Sequence, residues 1–388
     1  MMKLLFVVSL LSLSLSVQGF QSLHRTRAIT SLLPTPSISQ PSPSPREQRR
    51  SFINIDVHKK MATSVGSSSS SSPEVVMETA QSPRLRNIQK RWITGLSLGL
   101  TATLWIFAGN GFFTLGFLVT TIISQLEYYQ MVENTGVVPA KKIGIISSLL
   151  CYFVAASFPT YHEACLPFMT ITLMTWLLLF KKTSSSIVEI SETFLGMFYL
   201  GYLPSFWVRL RRMGEMSKIM FPQILRKLSW TGADTWTHGA VITWWTWCSI
   251  VFADVGAYFV GKKFGKTRLG EISSAAGAAS PNKTVEGALG GFFACTAFVT
   301  LGAKIMNWPK WQITGIIYGL LMSSVALLGD LTVSVMKRDA KMKDSGAVLP
   351  GHGGLLDRID SYMLTAPTAY FFVEMVLKHL LRLKKGLR

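Results

Sequence analysis

Of the eight aspartates in this 388-residue chain, five (Asp330, Asp339, Asp344, Asp357 and Asp360) crowd into one short stretch near the C-terminus. Lys337, Arg338, Lys341, Lys343 and Arg358 are interleaved with them, and the run Leu349-Pro350-Gly351-His352-Gly353-Gly354 separates the two halves of the cluster. Those residue types suit one chemistry, a phosphorylated substrate handled with a divalent metal. Carboxylates are hard oxygen ligands for the ion, and Lys and Arg take up the remaining phosphate charge. Glycines let backbone N–H groups approach phosphate oxygens closely. A solvated linker whose charges merely cancel has no need for Gly-His-Gly-Gly between two charged clusters.

A second cluster precedes the first. Asp254 stands inside an apolar run, with Tyr258 one helical turn away on the same face. An acid inside a membrane segment is expensive, so it reads as functional. The block Ser280-Pro281-Asn282-Lys283-Thr284-Val285-Glu286-Gly287 follows, with Glu286 expected to orient Lys283. Two consecutive apolar runs separate segments 262–287 and 331–360, so a helical hairpin returns the chain to the same membrane face and lets both clusters converge. Glu127, at the end of an earlier apolar run, reads instead as a structural partner for a nearby Arg. Gly261-Lys262-Lys263-Phe264-Gly265-Lys266-Thr267 is one residue short of a nucleotide-binding P-loop and follows a membrane helix rather than a strand, which excludes that reading. Among the histidines only His352 is flanked by glycines and acids. Proton transfer and a loop-ordering hydrogen bond are both open to it, whereas His162, His238 and His379 are isolated and read as packing or interfacial residues.

The elements that must position these groups follow from composition. The chain is 49% hydrophobic and only 15% charged, against about 25% charged in soluble domains. Its 39 Lys+Arg against 20 Asp+Glu give a net charge of +19. With such hydrophobicity, that excess suits anionic lipid and phosphate-rich substrates rather than nucleic acid. The expected fold is all-α, a polytopic membrane protein with eight or nine transmembrane helices over 92–108, 111–127, 143–158, 165–180, 193–208, 240–260, 288–306, 312–330 and 361–379. The basic loop 209–238 breaks the positive-inside pattern, so either one span is miscounted or 193–208 is re-entrant. Trp92, Trp207, Trp230, Trp236, Trp311 and Tyr362 near span ends suit an interfacial belt. Cys151, Cys165, Cys248 and Cys295 lie singly in or beside apolar runs and read as packing residues.

Residues 1–19 have the form of a secretory signal, and 20–85 are Ser-, Pro- and Arg-rich with few acids, the composition of an organelle transit peptide. Those 85 residues hold nine basic and four acidic side chains, so the remainder still carries +14. The expected organisation is a leader (1–19 and 20–85), an N-terminal transmembrane region (86–249), and a catalytic transmembrane region (250–388) with its charged loop at 331–360.

The pattern Ser334-x-Met336-Lys337-Arg338-x4-Lys343-Asp344-x-Gly346-x2-Leu349-Pro350-x-His352-Gly353-Gly354-Leu355-x-Asp357-Arg358-Ile359-Asp360 resembles the signature of the phosphatidate cytidylyltransferases, the CDP-diacylglycerol synthases. Asp254-x-x-Ala257-Tyr258-x-x-Gly261 and Ser280-Pro281-x-Lys283-Thr284-x-Glu286-Gly287 are similar to that family too, with Asn282 standing where Lys is common. The resemblance implies a membrane enzyme that joins CTP and phosphatidic acid into CDP-diacylglycerol and pyrophosphate with Mg2+, in a two-cation centre whose second ion could be K+. It implies Asp330 and Asp357 as metal ligands, with Asp344 and Asp360 supporting or sharing them. Lys337, Arg338, Lys343 and Arg358 would serve the triphosphate and lipid phosphate. Asp254, Ser280, Lys283, Thr284, Glu286 and Ser334 would contribute to substrate binding, and His352 to the catalytic loop. A homodimer is compatible with this. The signal and transit composition resembles the presequences of algal plastids of secondary endosymbiotic origin, and the endoplasmic reticulum membrane is the alternative location. A CTP-using lipid kinase and an ion-coupled transporter remain rivals. The transporter would spread its acids through several spans rather than gather them at span ends. A CDP-alcohol phosphotransferase would need an Asp-Gly pair, which this chain lacks.

Overall fold

In hydrocarbon every backbone N–H and C=O has to be satisfied within its own segment, so long apolar runs bounded by capping residues become helices. The computed structural model describes residues 99–214, 237–346 and 353–386; the presequence expected over 1–85 lies outside them. Those residues form α1 (99–107), α2 (Asn110–Asn134), α3 (Lys141–Ser157) and α4 (Pro159–Phe180). Next comes α5, in which Ile187–Leu195 runs through a π-helical stretch, Gly196–Tyr202, into Leu203–Arg211. They continue with α6 (His238–Phe264), the short α7 (Leu269–Ile272) and α8 (Ser274–Ala279), α9 (Val285–Ile305), α10 (Trp311–Asp339) and α11 (Leu356–Phe371), which extends through Phe372–Leu377 into Lys378–Gly386. The fold is all-α. The eight expected spans from 111–127 to 361–379 fall on helices, as do residues 99–107 of the first, and among the described residues four, α4, α6, α9 and α10, are each long and apolar enough to cross a membrane.

Local sequence sets the helix starts. Ser186, Thr237 and Thr284 are N-caps whose hydroxyls accept from Glu189 N (3.1 Å), Ala240 N (3.1 Å) and Gly287 N (3.2 Å), relieving amides that have no intrahelical partner. The end of α9 is a Schellman turn: Asn307, at φ +46°, donates its N–H to Lys304 O (3.1 Å), and Trp308 N reaches back to Ala303 O (2.9 Å). Pro309 follows and blocks continuation.

That turn makes α9 and α10 an antiparallel hairpin. The 21 residues of α9 rise roughly 31 Å, as do the first 21 of α10, so the start of α9 comes level with the neighbourhood of residue 331. The geometry of the site rests on this equality.

Between helices in lipid there is little hydrophobic drive, and small residues that let backbones approach supply the packing. A Cβ added to Gly256 on α6 would lie 2.7 Å from Gly290 O on α9, and one at Gly291 would lie 2.7 Å from Ala253 O. The α6–α9, α9–α10, α10–α11, α11–α5 and α5–α6 contacts close into a circuit, with α2 and α3 packed on the π-helical part of α5. The Gly196 carbonyl in that stretch accepts from Gln125 Nε2 at 3.0 Å.

The segment 193–208 lies within one continuous helix, α5. One expectation is corrected here. Trp207 is fully buried, donates to Tyr362 O at 2.9 Å and so joins α5 to α11; it is core, not belt, while Tyr362 is partly buried against the same core. Trp311 does lie at a helix end, under the Lys304 ammonium, while Trp92, Trp230 and Trp236 lie outside the described residues. The four cysteines are free and buried, as packing residues should be. His162 is also buried, within 2.7 Å of Ser205 Oγ, 3.5 Å of Cys151 Sγ and 3.4 Å of Arg209 Nη1, with Tyr202 stacked on its ring.

Candidate active site

Asp330, Ser334 and Lys337 recur at i, i+4 and i+7, which places them on one stripe of α10; Asp357 and Asp360, at i and i+3, share a face of α11. The two helices meet at Gly329. A Cβ there would lie 2.5 Å from Asp360 O and 3.3 Å from Ser361 Cα, so the crossing tolerates no side chain and brings Asp330 beside Asp360. Asp360 is buried, its Oδ1 accepts from Ser361 N at 2.8 Å, and its charge faces those of Asp330, Lys337 and Asp254. Asp254 thus reaches the same junction from α6.

Lysines answer the acids. Lys283 Nζ lies 2.5 Å from Asp330 Oδ2, and Lys337 Nζ lies 2.5 Å from Asp357 Oδ1. The first contact is the consequence of the α9–α10 hairpin: residue 283, just before α9, meets residue 330 twenty positions into α10. The two charged clusters of the sequence therefore form one site.

The strand-like crossing ahead of α9 holds Lys283 in place. Leu269 N donates to Lys283 O (2.9 Å) and Val285 N to Thr267 O (3.0 Å). Glu286 does not orient Lys283. Its carboxylate accepts from Lys266 N (3.1 Å) and Thr267 N (3.1 Å), because a carboxylate in the first turn of a helix is well placed to take nearby orphan amides. Thr284 is the α9 cap, and Ser280 is buried at the end of α8 with its carbonyl taking Lys283 N at 3.3 Å.

Beyond α10 the chain folds onto Asp357, whose Oδ2 accepts from Ser345 N (2.8 Å), Ser345 Oγ (3.1 Å) and Gly354 N (3.3 Å). Gly353 has φ +83°, a left-handed conformation that favours glycine, and it sits against Asp357 and Asp344. Lys343 and Asp344 are exposed, as is Arg338, which donates to Met342 O at 3.4 Å; Arg358 is half-buried. His352, with the rest of 347–352, lies outside the described residues.

Acids and lysines from separate helices, gathered at the end of a membrane bundle, are suited to binding a charged phosphate compound beside lipid. Residues 89–376 match the model of the cytidylyltransferase family, and a phosphatidate cytidylyltransferase of Synechocystis sp. is 40% identical to this chain, over 74% of this chain and 95% of its own length. The chain belongs to the cytidylyltransferase family. Two other relatives carry the same enzyme name. Phosphatidate cytidylyltransferase 5, chloroplastic, of Arabidopsis thaliana is 30% identical over 88% of this chain and 90% of its own, and that of Bacillus subtilis is 29% identical over 74% and 98%. The chain is accordingly a nucleotidyltransferase, and an integral membrane one.

Of the residues singled out in the sequence, this cytidylyltransferase brings Asp254, Lys283, Asp330, Ser334, Lys337, Asp357 and Asp360 together. It leaves Arg338, Lys343 and Asp344 exposed beside them and gives Thr284 and Glu286 local backbone partners. Ser345 escaped the sequence reading, and Glu127 was given the wrong partner. The Glu127 carboxylate accepts from Leu355 N (2.9 Å), Leu356 N (2.8 Å) and Ser345 Oγ (3.0 Å), so its partners belong to the signature segment and not to an Arg. A usable signal existed: between Arg91 and Lys141 no basic residue is present to pair with it.

Proposed function

We propose that this cytidylyltransferase takes CTP and phosphatidic acid and releases CDP-diacylglycerol and pyrophosphate where α10 crosses α11. The observation that carries the reading is the pair of contacts Lys283–Asp330 and Lys337–Asp357, each 2.5 Å, beside two further acids at one helix crossing. An ammonium has three donors and can hold a carboxylate while engaging a phosphate. The shared name of the relatives supports the lipid substrate.

In the transfer a lipid phosphate oxygen attacks the α-phosphorus of CTP. As the new P–O bond forms, the bond from that phosphorus to the bridging oxygen breaks, and pyrophosphate leaves with the electron pair. The attacking phosphate is already ionised near neutral pH, so the protein has no proton to remove. Its work is positioning and charge stabilisation. Lys283 and Lys337, fixed by their aspartates, are placed to offset charge on the triphosphate. Arg338, Lys343 and Arg358, around them, are suited to the lipid phosphate. Ser334, within 3.4 Å of Asp330 Oδ1, keeps that carboxylate in register.

The donor set fits Mg2+. This ion favours one or two carboxylates plus phosphate oxygens over an all-protein cage, and the crossing offers the carboxylates of Asp330 and Asp357 beside lysines suited to the phosphate. Asp330 and Asp357 would hold it, and when bound it supplies Lewis-acid stabilisation of the phosphoryl oxygens. Asp254 and Asp360 are the further carboxyl groups that would serve a second cation such as K+. The chloroplastic relative, with the signal and transit composition of 1–85, supports a plastid membrane as the location.

The test supplies membranes containing the full chain with phosphatidic acid, Mg2+ and CTP labelled at the α- or the γ-phosphate. Label entering lipid from the α position alone is the expected result. Label from the γ position would make the protein a kinase, and none from either, beside an active control, would end the enzymatic assignment to phosphatidic acid.

A further inference from the structure

Glu127 is a buried acid that the transfer chemistry does not use. It lies in α2, more than two hundred residues from the signature segment, and is 6% exposed. Its two oxygens receive three donors, and all three come from the chain that carries Asp357: Leu355 N on Oε1, and Leu356 N and Ser345 Oγ on Oε2. No local residue could do the same work. Position 355, where a Ser, Thr, Asp or Asn would ordinarily cap the helix, is a leucine, and α11 has no side-chain cap of its own.

Two signature glycines gain a reason from this arrangement. A Cβ at Gly346 would lie 2.7 Å from Glu127 Oε1, and one at Gly354 would meet Ser345 Oγ at 2.0 Å, with Glu127 Oε2 and Gly346 N each at 2.7 Å. Real Cβ atoms do not approach so closely, so a side chain at either position would displace this arrangement. Ser345 completes the link, because its Oγ is 3.0 Å from Glu127 and 3.1 Å from Asp357 Oδ2. The two carboxylates share the single proton of that hydroxyl, which with two amides ties Glu127 to the start of α11 and to the aspartate that pairs with Lys337.

We propose that Glu127 is a positioning residue for the transfer reaction: from α2 it fixes the first turn of α11 and, through Ser345, the orientation of the Asp357–Lys337 pair. This rests on the phosphatidate cytidylyltransferase reading given above. It also assigns a task to the N-terminal half of the chain, which otherwise contributes none of the gathered acids and lysines. Glu127 takes the amides of Leu355 and Leu356, at the point where α11 begins.

The experiment compares the full-length chain with Glu127→Gln and Gly346→Ala in detergent or vesicles, measuring kcat and KM for CTP and amide exchange by mass spectrometry. Gln keeps the shape but turns one acceptor into a donor facing other donors. Losing charge-assisted hydrogen bonds of this kind should lower kcat about 10- to 100-fold while KM for CTP moves less than about threefold. Exchange should quicken in the peptides spanning 340–346 and 353–358 and stay unchanged in α9. Gly346→Ala leaves Glu127 in place and presses a methyl on Oε1, so it should move the same readouts in the same direction, even if Glu127→Gln does not accumulate. Unchanged kcat in both variants overturns the proposal. So does a kcat loss accompanied by faster exchange in every helix, the mark of a merely structural residue. Failure of the wild-type chain to transfer the α label would instead overturn the substrate assignment, and the exchange comparison would still decide whether Glu127 holds the segment.

Discussion

Two polar clusters are buried among the helices of this enzyme, and they are built differently. Around His162, neutral and charged groups close on one another: Ser205 Oγ at 2.7 Å, Cys151 Sγ at 3.5 Å, and Arg209, which pairs with Glu163 at 2.5 Å and lies over the Tyr370 ring. Aromatic rings of Tyr202 and Phe206 cover the imidazole. Around Asp330 the groups are acids from three helices and lysines from two segments, at a helix crossing beside a glycine-rich turn. Partners alone therefore do not distinguish a site from a polar core. The difference lies in what surrounds them: in one case rings cover the imidazole and Glu163, the carboxylate on Arg209, is half exposed, whereas in the other several partly buried carboxylates and lysines face one another next to backbone turns.

The largest expected effect tests the open cluster. Asp330→Asn keeps the size of the side chain and an oxygen for Ser334, but it removes the charge that holds Lys283 and faces Asp360. Turnover should fall at least about 100-fold, while the protein inserts and accumulates normally. Retained activity at saturating Mg2+ would remove Asp330 from the mechanism and with it the contrast between the clusters.

A smaller effect is expected from the point that brings the helices together. Gly329→Val places a Cβ against Asp360 O, where 2.5 Å is available, so α10 and α11 have to part. A shift of this kind should cost about 1–3 kcal/mol of stability and lower kcat roughly tenfold by misplacing Asp330 relative to Asp357. Thermal unfolding in detergent and steady-state kinetics on the same preparation measure both. Wild-type kcat in a destabilised protein would mean that the site does not depend on this crossing.

Much of this was legible in the sequence because two rules act over short range. Apolar run length fixed where helices lie, and two consecutive runs between the charged clusters were enough to require that Lys283 and Asp330 share a membrane face. Glu286 was misjudged for a local reason: a first-turn carboxylate has nearby amides to bind, and they outcompete a lysine three residues back. Trp207 was misjudged because position near a span end does not say which way a side chain faces. Glu127 was legible as an intramembrane acid but not as a partner of 345–356, since nothing in α2 records which distant amides will dock against it.

The smallest catalytic effect should come from the sealed cluster. His162→Ala strips Ser205 of a 2.7 Å partner and leaves Arg209 facing a void under the Tyr202 ring. The loss of buried hydrogen bonding should cost about 1–3 kcal/mol of stability. Because α5 carries Ser205 and Arg209 on the same rod as Trp207, which is bonded to α11, some of that loosening could reach the site through Tyr362. The rings that seal the cluster argue that it does not, and kcat/KM should stay within about twofold of wild type while the unfolding temperature drops. A preparation that melts normally but loses most of its turnover would place His162 in communication with the site, and the division between a closed structural cluster and an open catalytic one would have to be given up.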